Sequence, residues 1–128
     1  ISLKIINNSL AYFKIMIMTI YIKSKMPPLR WGYRAITLWP IGIFVRCKTF
    51  IFNLDLMRHE KIHWEQQKEM LGIFFYIWYL FEYLVRLVLY LNHYDAYRGI
   101  SFEREAYWHE DNSNYLAFRK RFHWLKYL

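Results

Sequence analysis

The spacing of apolar and polar positions changes along the chain, and each change predicts an element. From Tyr33 to Phe52 the apolar runs are short, rich in aromatic and β-branched residues, and cut by breakers: Tyr33–Leu38, then Trp39-Pro40, Ile41–Arg46, a turn near Cys47, and Thr49–Phe52. Such runs predict a small antiparallel sheet, which either covers the helices or offers an edge strand to an extended peptide. From Asp55 the spacing becomes helical. Asp55 is placed to cap a helix that starts at Leu56 and carries His59, Glu60, His63, Gln66, Gln67 and Met70. Gly72 is the only helix-weakening residue before Asn92.

Leu71–Leu91 has 13 Leu, Ile, Phe or Val among 21 residues, interrupted by Glu82 and Arg86. As a membrane span, its apolar residues would gain about 6 kcal/mol, while two charges near the centre would cost roughly 2.5–3.5 kcal/mol each, so the two nearly cancel. Glu82 and Arg86 are spaced to pair within one helix. The segment therefore reads as a buried core helix with a paired polar notch, with a membrane helix as the alternative. Asn92–Gly99 reads as a loop. Ser101 is a candidate N-cap for a helix over Phe102–Asp111, with Glu103 in its first turn. Tyr115–Leu128 mixes Arg119, Lys120, Arg121 and Lys126 with aromatic residues and reads as a basic amphipathic helix with its aromatics on the core and its charges solvated, the alternative being a helix that lies on a membrane surface or on nucleic acid.

The full chain has 128 residues, enough for one core and too few for a core plus a separate module. We read residues 26–128 as a single domain and residues 1–25 as an N-terminal extension. That extension holds the apolar run Leu10–Ile22, interrupted by Lys14, and precedes Met26-Pro27-Pro28. It is read as an over-extended frame upstream of Met26 or a weak membrane anchor. Aromatic residues make up 22% of the chain, which excludes disorder on composition. Cys47 is the single cysteine, which excludes a disulfide framework and a cysteine-based zinc knuckle. A net charge of +8 admits anionic lipid or nucleic acid as a partner. The chain shows no glycine-rich loop, zinc-finger spacing or RNA-binding signature, so no nucleic acid is expected. Cytoplasmic and membrane-associated locations both remain open.

The most specific stretch is His59-Glu60-Lys61-Ile62-His63. Positions four apart on a helix share a face, so both imidazoles can reach one metal ion, while Glu60 sits beside the ion's open position. A carboxylate there can take the proton from a metal-bound water as it attacks a carbonyl. A catalytic zinc normally has a third protein ligand. A histidine six residues after the motif is excluded, because position 69 is Glu69.

A carboxylate on a later helix fits Phe102-Glu103-Arg104-Glu105-Ala106-Tyr107. With this segment the chain resembles the gluzincins, zinc peptidases with His-Glu-x-x-His followed by a Glu on a later helix. Glu103-x-x-Ala106 resembles the Glu-x-x-Ala element of the CAAX prenyl protease, heat-shock membrane protease and phage-repressor-cleaving branches. The order of elements is also similar to that of small bacterial proteins of this kind. The resemblance implies an α+β, minimal zincin-like domain: a small antiparallel sheet, an active-site helix, a long apolar helix and a ligand helix. It implies Zn2+ held by His59, His63 and Glu103, Glu60 as general base, and a peptide or protein substrate. A non-enzymatic membrane-associated protein with an incidental or structural metal site is the alternative.

One position departs from the pattern. Those branches place Asp or Asn directly after the Ala, where this chain has Tyr107, a residue that can bond a ligand or the oxyanion or belong to the core. Glu103 and Glu105 differ by about 200° around a helix. Ala106 shares the face of Glu103 and lets that helix approach closely, whereas Glu105 shares a face with His109 and reads as a solvated pair with it. On this reading Glu103→Ala loses zinc and Glu105→Ala leaves it nearly intact.

Overall fold

The computed structural model describes residues 19–21 and 33–128 of the chain. The described residues form an α+β arrangement in which a three-stranded sheet precedes a helical region. The strands are β1 (Thr19–Tyr21), β2 (Ala35–Leu38) and β3 (Gly42–Val45). They are ordered β1-β3-β2, with β2 antiparallel and β1 parallel to β3. The antiparallel pair matches the first two of the short runs separated by Trp39-Pro40, with Ile36 opposite Phe44 and Thr37 opposite Ile43. β1 lies within the N-terminal extension, and the rest of residues 1–25, with Met26, lies outside the described residues.

Thr49–Phe52 is not a strand. Lys48–Phe52 forms a 3-10 turn closed by Phe50 N–H to Cys47 O and Asn53 N–H to Phe50 O, and it delivers Asn53 to the start of the next helix. Helix α1 (Leu54–Glu69) is capped by Asn53 rather than Asp55: the Asn53 side chain accepts from Leu56 N at 3.0 Å. Asp55 lies in the first turn, where the helix dipole favours it, and pairs with Arg58 at 2.8 Å.

The chain turns at Leu71 (φ 53°) and Gly72 (φ 73°), a left-handed pair that ends α1 without a proline. Helix α2 (Ile73–Tyr90) follows. Its Glu82–Arg86 pair is present at 2.8 Å, but the helix is not a buried core element. Among the described residues only its Phe75 and Glu82 are buried, and a broad apolar face stays uncovered. The helix is long and apolar enough to cross a membrane.

Asn92–Gly99 is helical rather than a loop. The Asn92 side chain accepts from Asp95 N at 3.0 Å and starts helix α3 (His93–Gly99). Helix α4 (Ser101–His109) then begins one residue earlier than the sequence suggests, and Ser101 does not cap it. Glu82 performs that role from α2: its carboxylate accepts from Ser101 N at 2.8 Å and from Ser101 Oγ at 2.6 Å. The last segment is not one amphipathic helix. Helix α5 (Tyr115–Phe118) stops where Arg119 turns extended, and a 3-10 turn (His123–Tyr127) follows. That break lets the Arg119 side chain enter the protein while Lys120, Arg121 and Lys126 stay exposed.

The core is built where α1, α2 and α4 meet. Phe75, Ile100, Phe102 and Trp124 form one buried cluster, and Ile62, Ala106 and Tyr115 another. Ala106 is fully buried against α1, as the small side chain on the Glu103 face predicts.

Candidate metal centre

One helical turn brings His59 and His63 together on the buried side of α1, and α4 brings Glu103 to them from 40 residues or more along the chain. His59 Nε2 and His63 Nε2 are 3.0 Å apart, and Glu103 Oε2 lies 3.2 Å from the first and 3.3 Å from the second. Ligands bonded to zinc at about 2.0–2.1 Å in tetrahedral geometry stand about 3.3–3.4 Å from one another. The three atoms are therefore spaced as one triangular face of such a site. His59, His63 and Glu103 form the group of the described residues that could hold a metal ion.

The outer contacts of these residues fix which atoms face inward. His59 Nδ1 is 2.9 Å from the Glu110 carboxylate, an acceptor, so Nδ1 carries the proton. His63 Nδ1 is 2.8 Å from Gln66 Oε1; the Gln66 amide nitrogen is itself committed to Phe102 O and Glu105 Oε2. In their neutral forms both rings thus point an Nε2 lone pair at the Glu103 oxygen and at each other. Three electron-rich atoms meeting in a buried space repel unless positive charge sits among them. In the protein without metal, protons supply it. Burial opposes charge on His59, but the hydrogen bonds with Glu103 and Glu110 outweigh burial and hold its pKa up at about 10. His63 is likewise raised, burial again opposing and Glu103 prevailing. Burial alone would lift the Glu103 carboxyl, yet His63 and His59 hold it well below the usual carboxylate range. A site that binds protons this way also suits a divalent cation.

Each ligand side chain has its own brace. Tyr79 of α2 donates to Glu103 Oε1 at 2.9 Å, Glu110 holds His59, and Gln66 holds His63. Behind Gln66 lies a buried ion network. Glu105 accepts from Gln66 at 2.8 Å, from Tyr115 at 2.6 Å and from Arg119 Nε at 2.6 Å, and Arg119 also pairs with Glu69. Glu105 is therefore not solvated and does not pair with His109, which stacks on Tyr115 and bonds the Tyr127 hydroxyl at 2.7 Å. Arg119 accounts for the difference: a guanidinium entering from the last segment supplies the charge that lets Glu105 be buried.

Glu60 is buried beside the cluster, and Thr37 of β2 donates to its Oε2 at 2.6 Å. Glu60 and His59 line two adjoining hollows of about 380 and 250 Å3, whose shared wall includes Tyr33, Ala35 and Tyr97. Tyr107 does not bond a ligand. Its ring lies edge-on to His59 with centroids 4.4 Å apart, its hydroxyl pairs with that of Tyr97 at 3.1 Å, and Arg98 covers its other side. The supporting carboxylate expected at that position comes from Glu110, two helical turns after Glu103.

β2 is the edge strand facing the site. The Arg46 N–H to Arg34 O bond sets the alternation, which turns the amides and carbonyls of Ala35 and Thr37 away from β3. The Gln67 amide occupies the far end of that edge, donating to Thr37 O at 2.8 Å and accepting from Trp39 N at 2.7 Å. The backbone groups of Ala35 on this edge are not covered by the Gln67 amide, which bonds only Thr37 and Trp39.

Sequence reasoning did not find Thr37, Gln66, Tyr79, Glu110 or Arg119. Gln66, three residues after His63, shares a helix face with the residue it braces, and Glu110, seven after Glu103, shares the face that Glu103 presents to the cluster; both were open to helical spacing. Nothing local marks the others. No protein-family model, curated protein or solved structure matches this chain.

Proposed function

We propose that the chain is a minimal zinc-dependent metallopeptidase of zincin-like type, with His59, His63 and Glu103 holding Zn2+ and Glu60 as general base. The observation that carries this reading is the convergence of two imidazole lone pairs and a carboxylate oxygen at 3.0–3.3 Å, beside a buried Glu that opens on a cleft. Two nitrogens and one oxygen are a ligand set that zinc accepts. The His-Glu-x-x-His and Glu-x-x-Ala resemblance, and the order of sheet, motif helix, apolar helix and ligand helix, support the same reading.

When bound, zinc polarises a scissile carbonyl and acidifies water. The rest is the work of this chain. Glu60, oriented by Thr37, takes a proton from the attacking water as its oxygen bonds the carbonyl carbon. The same carboxyl then gives that proton to the leaving amine as the C–N bond breaks. Glu110 and Gln66 keep His59 and His63 in the tautomer that presents Nε2. The edge of β2 at Ala35 aligns an extended peptide along the cleft.

The test is cleavage of a peptide library followed by mass spectrometry, with zinc content measured on the same protein. Zinc-loaded protein should cut, chelated protein should not, and Glu60→Gln should keep its zinc while losing about 100-fold or more in rate. Zinc at one ion per chain without cleavage by the unaltered protein would refute the peptidase and leave a structural metal site.

A further inference from the structure

Helix α2 has two faces of unlike chemistry. Its inner face carries Phe75 into the core, Tyr79 to Glu103, and the Glu82–Arg86 pair to the start of α4. Its outer face spans about 180° of the helix and holds only Ile, Leu, Val, Phe and Trp. Apart from the half-buried Trp78 and Leu87, its residues are exposed from 43% at Val85 to 75% at Val88. At about 1.5 Å per residue this strip is about 27 Å long, well beyond what an isolated surface side chain explains.

The neighbouring segment indicates what covers it. Trp78, at one border of the strip, packs on Trp124 with centroids 6.1 Å apart, which places the last 3-10 turn along that border. There Leu125 and Leu128 are more than half exposed, and Lys120, Arg121 and Lys126 project into solvent. Residues 115–128 contain no Asp or Glu. An apolar strip bordered by cations matches an anionic lipid surface, with acyl chains on the strip and phosphates on the border. A symmetric contact with a second copy would instead bring the same basic borders near each other.

We propose that the outer face of α2 lies in the interfacial plane of an anionic phospholipid bilayer. The helix does not cross it. Crossing would carry lipid to the inner face and drag α3 and α4, which are held there and bear the charged Asp95, Arg98 and Glu103, into hydrocarbon. In the plane, those elements stay on the water side. Through Tyr79 the same helix braces the metal cluster, so the cleft is held close to the membrane surface.

The experiment is flotation of the full chain with vesicles of phosphatidylcholine, alone or mixed with phosphatidylglycerol, at low and high salt. The chain should float with the mixed vesicles. Ile77→Glu/Leu84→Glu, on exposed positions, should weaken partitioning at least tenfold with an unchanged melting temperature and metal content. Lys120→Gln/Arg121→Gln/Lys126→Gln should weaken it about fivefold per charge removed and lessen its salt dependence. Absence of flotation, or flotation indifferent to the Ile77/Leu84 change, would overturn the proposal. So would a dimer in sedimentation equilibrium that the same change dissolves. Zinc content and peptide cleavage are read separately, so failure here leaves the hydrolase reading standing, and the reverse.

Discussion

Glu103 and Glu105 stand two residues apart, both buried, and their removal should have opposite signatures. On the proposed reading, Glu103→Ala takes away a metal ligand. In chelator its loss leaves one donor, the Tyr79 hydroxyl, without its acceptor, at roughly 1–3 kcal/mol. The two histidines it leaves behind can release their protons at neutral pH, which limits the damage. Glu105→Ala instead takes the acceptor from Arg119 Nε, the Tyr115 hydroxyl and one of the two Gln66 Nε2 protons, the other staying on Phe102 O. Arg119 keeps Glu69 but cannot shed its charge. Three such donors cost at least about 3 kcal/mol, within the roughly 3–5 kcal/mol seen when buried pairs are broken. For a chain this size that lowers the melting temperature by roughly 12 °C or more. Glu105→Ala also removes one of the two bonds that hold the Gln66 amide and so loosens His63, and zinc affinity should fall about 10–100-fold, against orders of magnitude more in Glu103→Ala. This differs from the expectation that Glu105 is solvated and neutral to zinc. The assay is thermal melting in chelator beside competitive zinc titration of each variant. A Glu105→Ala protein that melts like the parent, or a Glu103→Ala protein that keeps parental zinc affinity, would refute the assignment of faces on α4.

His59→Ala or His63→Ala should lose zinc binding and the part of the melting temperature that zinc adds; unchanged zinc stoichiometry would count against either as a ligand. Glu110→Gln keeps the size of the brace on His59 and removes its charge, and should weaken zinc about tenfold or more in the same titration. The pH dependence has a definite sign. With the His59 pKa at about 10 against 6.5 unfolded, its contribution to metal-free stability is complete below pH 6.5 and lost as pH rises through about 10. Zinc must displace those protons, so its apparent affinity should rise with pH over the same window, and binding at pH 7 should release at least one proton. Calorimetry in buffers of different ionisation enthalpy measures the number, and a value of zero would contradict the protonated cluster.

The parts of this protein readable from the chain are those whose partners lie within a few residues. His59 and His63 declare themselves by a four-residue spacing, and the register of Glu103 follows from Ala106 three positions on. The antiparallel pair β2-β3 follows from two short β-rich runs on either side of Trp39-Pro40. Misreadings arise where a distant residue decides. Glu105 looks solvated until Arg119 arrives from 14 residues downstream and Gln66 from 39 upstream. Ser101 looks like a cap until Glu82 takes its hydroxyl. Asn92–Gly99 contains polar residues and a terminal Gly, which reads as a loop, although one Asn92 side chain is enough to start a helix that packs on α2. Leu71–Leu91 has the composition of a core helix, and composition does not report whether enough protein exists to cover it.

The division of the ligand set between α1 and α4 has a consequence for the order of events during synthesis. The two histidines come into position as soon as a single turn of α1 forms, an event on the sub-microsecond scale. The third ligand waits until 40 further residues have been made, α2 has folded back, and α4 has docked through Ala106. A half-made chain therefore offers two histidine nitrogens and no carboxylate, and the third donor arrives only when α4 docks. On the proposed reading, metal capture then reports that α4 has docked, and hydrolysis is withheld from every earlier intermediate.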